Sequence, residues 1–147
     1  MAVPENVVKT SDFDFFSQEE AEVFDNTVGI RRRHIAPDNM CASDMCQAAA
    51  EKLLEELGWE RDSIDVLLFE SVTGDYRTPP TSCILQDRLA LSENCFCMDI
   101  PMGCCGCMYA ITVAGNLLTT GNVKRALLLI GVTALQIGRA SCREIVV

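Results

Sequence analysis

The chain has 147 residues, 49% of them apolar, with 12 lysines and arginines against 21 aspartates and glutamates, one histidine and nine cysteines, for a net charge of −9. One domain with a real core fits that length, and the acidic balance argues against a nucleic-acid partner, because neutralising phosphates takes a surplus of basic side chains. The longest apolar run, residues 126–135, is too short to cross a bilayer, so no membrane segment is expected.

In chain order, residues 1–10 read as the exit of a strand and the turn after it, the strand itself being missing. Residues 11–24 contain a short helix: Ser17 with Glu20 three positions on spells a capping box, and acids fill the first turn. Val28-Gly29-Ile30-Arg31-Arg32-Arg33-His34 is a basic cluster in an acidic chain, either a solvated face or a contact for an anion such as a phosphate-bearing ligand. His34 is remote in sequence from any acid or nucleophile motif and is given no catalytic role.

From Ser43 the pattern is helical, with Met45, Ala49, Leu53 and Leu57 as an apolar stripe and Gly58 as the stop. Residues 64–72 form a dense apolar run that predicts a buried strand. Thr78-Pro79-Pro80 opens the next helix, with the threonine as cap and proline in the first turn, and that helix carries Ile84, Leu85 and Leu89. A strand over 95–100, a small-residue turn, a helix apolar on nearly all sides, a turn at Thr120-Gly121-Asn122 and a strand over 126–135 complete the order.

Strands separated by helices predict an α/β fold with a parallel sheet, because parallel neighbours need a crossover between them, and near-continuous apolar strands predict that both faces are covered. Ligands in such sheets sit beyond the carboxyl ends of the strands. Cys104 falls there, at the turn before a helix, where a helix N-terminus favours the thiolate, the reactive form of cysteine. Against this, Cys104, Cys105 and Cys107 also read as small hydrophobes in a buried helix, but the place of Cys104 past the carboxyl end of its strand favours the nucleophile. The odd number of cysteines, their apolar surroundings and the lack of a signal peptide argue for a reduced, cytoplasmic chain.

Val28-Gly29-Ile30-Arg31-Arg32-Arg33-His34, then Ile64-Asp65, Pro79 with Gln86, and above all Asp99-Ile100-Pro101-Met102-Gly103-Cys104-Cys105-Gly106 with Tyr109-Ala110 resemble the β-ketoacyl-[acyl carrier protein] synthase III family, in the right order and over its N-terminal repeat. The resemblance implies a thiolase-like fold, layered α/β/α/β/α in the complete enzyme, and a homodimer. It implies an acyltransferase: an acyl group passes from acyl-coenzyme A to Cys104, and a malonyl unit on acyl carrier protein then loses carbon dioxide and attacks the thioester, giving a 3-oxoacyl chain on the carrier. Coenzyme A thioester and the carrier's phosphopantetheine are substrates, and no cofactor is permanently bound. Arg31 and Arg33 would contact the coenzyme A phosphate. Thr78 falls where family members place a bulky side chain bordering the partner's acyl pocket, and its small size predicts room for a longer or bulkier acyl group.

The chain departs from the family at several positions. Cys105 and Cys107 replace the usual serine or alanine and phenylalanine, which leaves Cys104-x-x-Cys107, and residues 22–27 lack the tryptophan and arginine that hold coenzyme A in well-known members. The catalytic histidine and asparagine of the second repeat have no counterpart here, and His34 aligns with a family histidine of no catalytic role. Residues 1–135 are accordingly read as an N-terminal thiolase-like repeat, and 136–147, with Gln136-Ile137-Gly138-Arg139-Ala140-Ser141-Cys142-Arg143, as a non-native tail resembling a translated sequencing adapter. On its own such a repeat would leave an apolar face exposed and lack activity. Three other readings stand beside the synthase: a CxxC thiol–disulfide protein built on Cys104 and Cys107, a metal site drawn from Cys95, Cys97, Cys104, Cys105 and Cys107, and a non-catalytic remnant that dimerises.

Overall fold

In the computed structural model, which describes residues 2–133, the chain divides into two units, Val3–Asn39 and the part from Met40 onward. The expected tail at 136–147, and the end of the expected strand beyond Thr133, lie outside the described residues.

The larger unit is built on β3 (Val66–Glu70), every residue of which is buried. It is the middle of a three-stranded parallel sheet, flanked by β4 (Phe96–Ile100) and β5 (Ala126–Ile130), with Val66 opposite Phe96 and Ala126 and Glu70 opposite Ile100 and Ile130. Alternate residues of a strand point to opposite faces. Leu67 and Phe69 therefore join one core with α2 (Ala42–Leu57) and α3 (Thr81–Arg88), whereas Val66 and Leu68 join a second with Ala110 and Ala114 of α4 (Gly106–Leu118). The parallel α/β architecture is as the element order predicts. α4, apolar all round, packs one side on the sheet and leaves Met108, Tyr109 and Ile111 at least half exposed.

Two local expectations are corrected. The buried stripe of α2 is Cys46, Ala50 and Leu54, one position round from the expected one, and Leu53 and Leu57 are exposed. Small side chains decide this, since they let the helix lie close on the sheet: a methyl built on Gly131, just past β5, would meet the Cys46 sulfur at 2.7 Å. α3 begins at Thr81, and Thr78 does not cap it. The Asp99 carboxylate of the neighbouring strand accepts from the backbone N–H of Thr81 and of Ser82, both at 2.7 Å, so a charged acceptor takes the place of a threonine cap.

In the smaller unit, β1 (Val7–Lys9) pairs antiparallel with β2 (Arg32–His34), so the basic cluster is partly a strand and residues 7–9 are its partner. Three-residue strands carry too little alternation to be read in advance. The helix α1 (Gln18–Val28) does have its capping box: the Glu20 N–H donates to Ser17 Oγ at 3.2 Å and the Ser17 N–H to Glu20 Oε2 at 2.9 Å. The Ser17 backbone N–H, and after it the Ser17 hydroxyl, hold the Glu20 carboxyl below its ordinary pKa. α1 ends at Gly29, whose φ of 78° suits a residue without Cβ.

Candidate active site

β4 ends at Ile100, and the next five residues turn the chain into α4. The turn is closed by its own backbone: Met102 N–H donates to Ile100 O at 2.9 Å, and Gly106 N–H to Gly103 O at 2.7 Å. Cys104 sits inside that second ring and is exposed, as is Cys105, while Cys107 is half-buried. For Cys104 and Cys105, placement in a buried helix is therefore ruled out. The thiol stands beyond the carboxyl end of its strand and just ahead of a helix N-terminus, whose partial positive charge favours an anion.

The exit of β3 supports this turn at both ends. Val72 Cγ1 lies in van der Waals range of a methyl built on Gly103, at 3.9 Å, and the Glu70 side chain fills the space beside Gly106. The Ser71 N–H donates to Ile100 O at 3.3 Å, joining the two strand ends. Residues 71–80 then form a pinned loop rather than a loose one. Asp75 N–H donates to Thr81 Oγ1 at 3.1 Å, Ser43 Oγ to Asp75 Oδ2 at 2.5 Å, and Arg88 Nη1 to Ser43 Oγ at 3.1 Å. Thr78 is exposed on this loop, and Asp99 ties the helix that follows it to the strand that leads to Cys104.

The other thiols of this unit differ in access. Burial, with the Asp75 and Glu70 charges behind it, pushes Cys46 up from 9.0 to about 11. Burial, followed by Cys95, pushes Cys97 up to about 12, and burial also raises Cys95. These three are held as neutral thiols, whereas Cys104 faces solvent. Among the described residues no group of three or more histidines, cysteines, aspartates and glutamates could hold a metal ion, and no helix is long and apolar enough to cross a membrane.

Arg31 and Arg33 belong to the smaller unit. The Arg33 guanidinium lies over the rings of Phe24, at 5.2 Å, and Phe13, at 5.9 Å, and donates to Thr10 Oγ1 at 3.5 Å. The Arg31 side chain is exposed. Glu70 and the capping role of Asp99 were not anticipated. A signal for Glu70 was available, since it is the only charged residue of the buried β3 run.

No protein-family model matches the chain. Among proteins with a curated name, the chain is 32% identical over 127 residues to the β-ketoacyl-[acyl-carrier-protein] synthase III of Acholeplasma laidlawii, covering 86% of this chain and 41% of that protein. It is 34% identical over 125 residues to that of Xanthomonas oryzae pv. oryzae, covering 85% and 38%. Among solved structures, a 3-oxoacyl-(acyl-carrier protein) synthase from Burkholderia xenovorans superposes with a TM-score of 0.82 at 40% identity, over 86% of this chain and 37% of that one. The 3-oxoacyl-[acyl-carrier-protein] synthase III of Aquifex aeolicus does so at 0.81 and 25%, over 90% and 42%. The chain spans about two fifths of the length of these relatives.

The parallel sheet and its crossover helices are those of a thiolase-like α/β protein. More narrowly, the matched residues are similar to β-ketoacyl-[acyl carrier protein] synthase III proteins over about two fifths of their length.

Proposed function

We propose that the protein of which these residues are part is an acyltransferase of the 3-oxoacyl-[acyl carrier protein] synthase III kind, with Cys104 as the acyl acceptor. The observation that carries this reading is the exposed thiol held between the carboxyl end of β4 and the N-terminus of α4. The Cys104 sulfur attacks the carbonyl of an acyl-coenzyme A, the carbon–sulfur bond to coenzyme A breaks, and the coenzyme leaves as its thiolate. Thioester is exchanged for thioester, so this step is close to balance. A malonyl group on acyl carrier protein then loses carbon dioxide, its carbanion attacks the acyl-cysteine, and Cys104 leaves with the electron pair. The product is a 3-oxoacyl chain on the carrier.

In this reading coenzyme A thioester and the carrier's phosphopantetheine are substrates, the whole protein works as a cytoplasmic homodimer, and Thr78 lines the rim of the acyl pocket. Arg31, exposed and without a stacking ring among the described residues, is better placed to meet a coenzyme A phosphate than Arg33, whose guanidinium is already engaged. The histidine and asparagine that the family resemblance assigns to a second repeat are not among these residues.

The test is intact mass spectrometry of the whole protein after incubation with a panel of acyl-coenzyme A donors, with peptide mapping of any adduct. One acyl mass on Cys104, abolished in Cys104→Ala, is expected. An unchanged adduct in Cys104→Ala, or a loss of two hydrogens joining Cys104 to Cys107 in place of any acyl mass, overturns the assignment.

A further inference from the structure

Glu70 is 5% exposed and ends the central strand with a carboxylate among apolar neighbours, on the face shared with Val66 and Leu68. Among the described residues it has no ion pair and its side chain accepts no hydrogen bond. Its position is defined by contact. A methyl built on Gly106 would fall on the carboxyl group, 2.5 Å from Cδ and 2.8 Å from Cγ, distances that real side-chain carbons do not tolerate. Glu70 thus occupies the space that any side chain at the first residue of α4 would need.

We propose that Glu70 is a positioning residue for Cys104: seated against Gly106, it fixes the first turn of α4, and with it the place of the thiol. The mechanical link is short. Gly106 N–H closes on Gly103 O, and Cys104 lies between those two residues, so a shift of Gly106 displaces the ring that carries the sulfur. Val72 steadies the other end of the ring beside Gly103. Glu70 and Val72 are both supplied by the exit of β3, a rigid and buried strand, which suits a support for a reacting atom. The proposal rests on Cys104 being the reactive thiol, and its test needs no acyl donor.

The experiment is a double-mutant cycle on the full chain, read as the ratio of iodoacetamide modification at Cys104 to that at Cys105, with buried Cys46 as the reporter of unfolding. Gly106→Ala is expected to change the ratio at least about fivefold, and adding Glu70→Ala, which vacates the space, to bring it back to within about twofold of wild type, since neighbours in contact are non-additive. A double variant no nearer to wild type than Gly106→Ala, or a single variant with an unchanged ratio and a protected Cys46, overturns the proposal. Should Gly106→Ala expose Cys46, the single changes decide. Glu70→Gln, which keeps the shape, preserves the ratio, while Glu70→Ala alters it. Equal ratios in those two overturn the assignment. If the cycle behaves as expected but no acyl-coenzyme A modifies Cys104, the synthase reading falls and the positioning role stands.

Discussion

Within one strand–turn–helix unit the same residue type serves two purposes. Cys95 and Cys97 border and line β4, pack against the core formed by α2, α3 and the sheet, and are pushed toward the neutral thiol by burial. A few residues later the chain leaves the sheet, and Cys104 and Cys105 stand in solvent at the head of α4. The residue type is constant across this boundary, so the difference lies in access and surroundings. The sheet turns sulfur into filling, and the turn presents it. Cys46 on α2 falls on the filling side, with its sulfur against Gly131.

The largest effect expected from this contrast is kinetic. With a slow alkylating reagent near neutral pH, Cys104 and Cys105 should react at least about a hundredfold faster than buried Cys46 and Cys95, which need local opening, and faster than half-buried Cys97, because reactivity follows thiolate fraction and exposure. Peptide mapping of partly labelled protein gives the order directly. Labelling of Cys97 at a rate comparable to Cys104 would erase the distinction between the two regions.

Next in size is the tie between them. Asp99 lies on the strand side of the boundary and holds the first two N–H groups of α3 from there. Hydrogen bonds to a charged acceptor contribute roughly 1.5–3 kcal/mol each, so Asp99→Ala, which removes both, should lower unfolding free energy by about 3 kcal/mol. Asp99→Asn keeps one carbonyl acceptor and should lose about half of that. Urea unfolding of the three proteins measures it, and an Asp99→Ala loss below about 0.5 kcal/mol, the range of an unremarkable surface change, removes Asp99 from this role.

The capping role of Asp99 also marks where the sequence stops being legible. In the larger unit the element order, and elsewhere the Ser17–Glu20 capping box, the stop at Gly58 and the turn at Cys104, follow from local pattern, because each is set by neighbours in sequence, and the alternation of strands with helices implies the parallel sheet. What local pattern misses is decided across space. Thr78 is a good cap by composition, yet the carboxylate that serves α3 arrives from another strand. Leu53 and Leu57 are the larger apolar residues of α2, yet the sheet selects Cys46, Ala50 and Leu54, because close approach to Gly131 favours small side chains. Glu70 stands out as the one charge of the β3 run, yet its role is hidden for the same reason, since it depends on a glycine brought near by folding. Arg33 looks like a free cation in the sequence and is found lying on Phe24 and Phe13.

The buried thiols also leave a signature in the pH dependence of stability. Cys46 ionises at about 11 when folded and at its ordinary 9.0 when unfolded, so between those values the unfolded chain has lost a proton that the folded chain keeps. Stability contributed by the raised group is present below pH 9.0 and is lost as pH rises toward 11. Cys97 acts in the same sense up to about 12. Cys46→Ala should therefore flatten the alkaline limb of the stability curve in that window. A limb insensitive to Cys46 would show that burial does not hold this sulfur as the thiol.

The smallest effect lies at the opposite end of the pH scale and on the opposite end of the sheet. Asp65 precedes β3, and its Oδ2 accepts from the N–H of Lys124 at 2.6 Å and of Arg125 at 3.0 Å, which aligns the entry of β5 with that of β3. Those two backbone bonds, that from Lys124 foremost, hold the carboxyl below its ordinary 3.8. A depressed carboxyl contributes stability above its unfolded pKa and loses it as pH falls through the folded one. Asp65→Asn should thus melt below wild type near neutrality, with the gap closing as pH drops under 3.8. A gap independent of pH would mean that Asp65 acts through shape alone. A gap that closes shows that the Asp65 carboxylate, in its charged form, holds the entries of β3 and β5 in register.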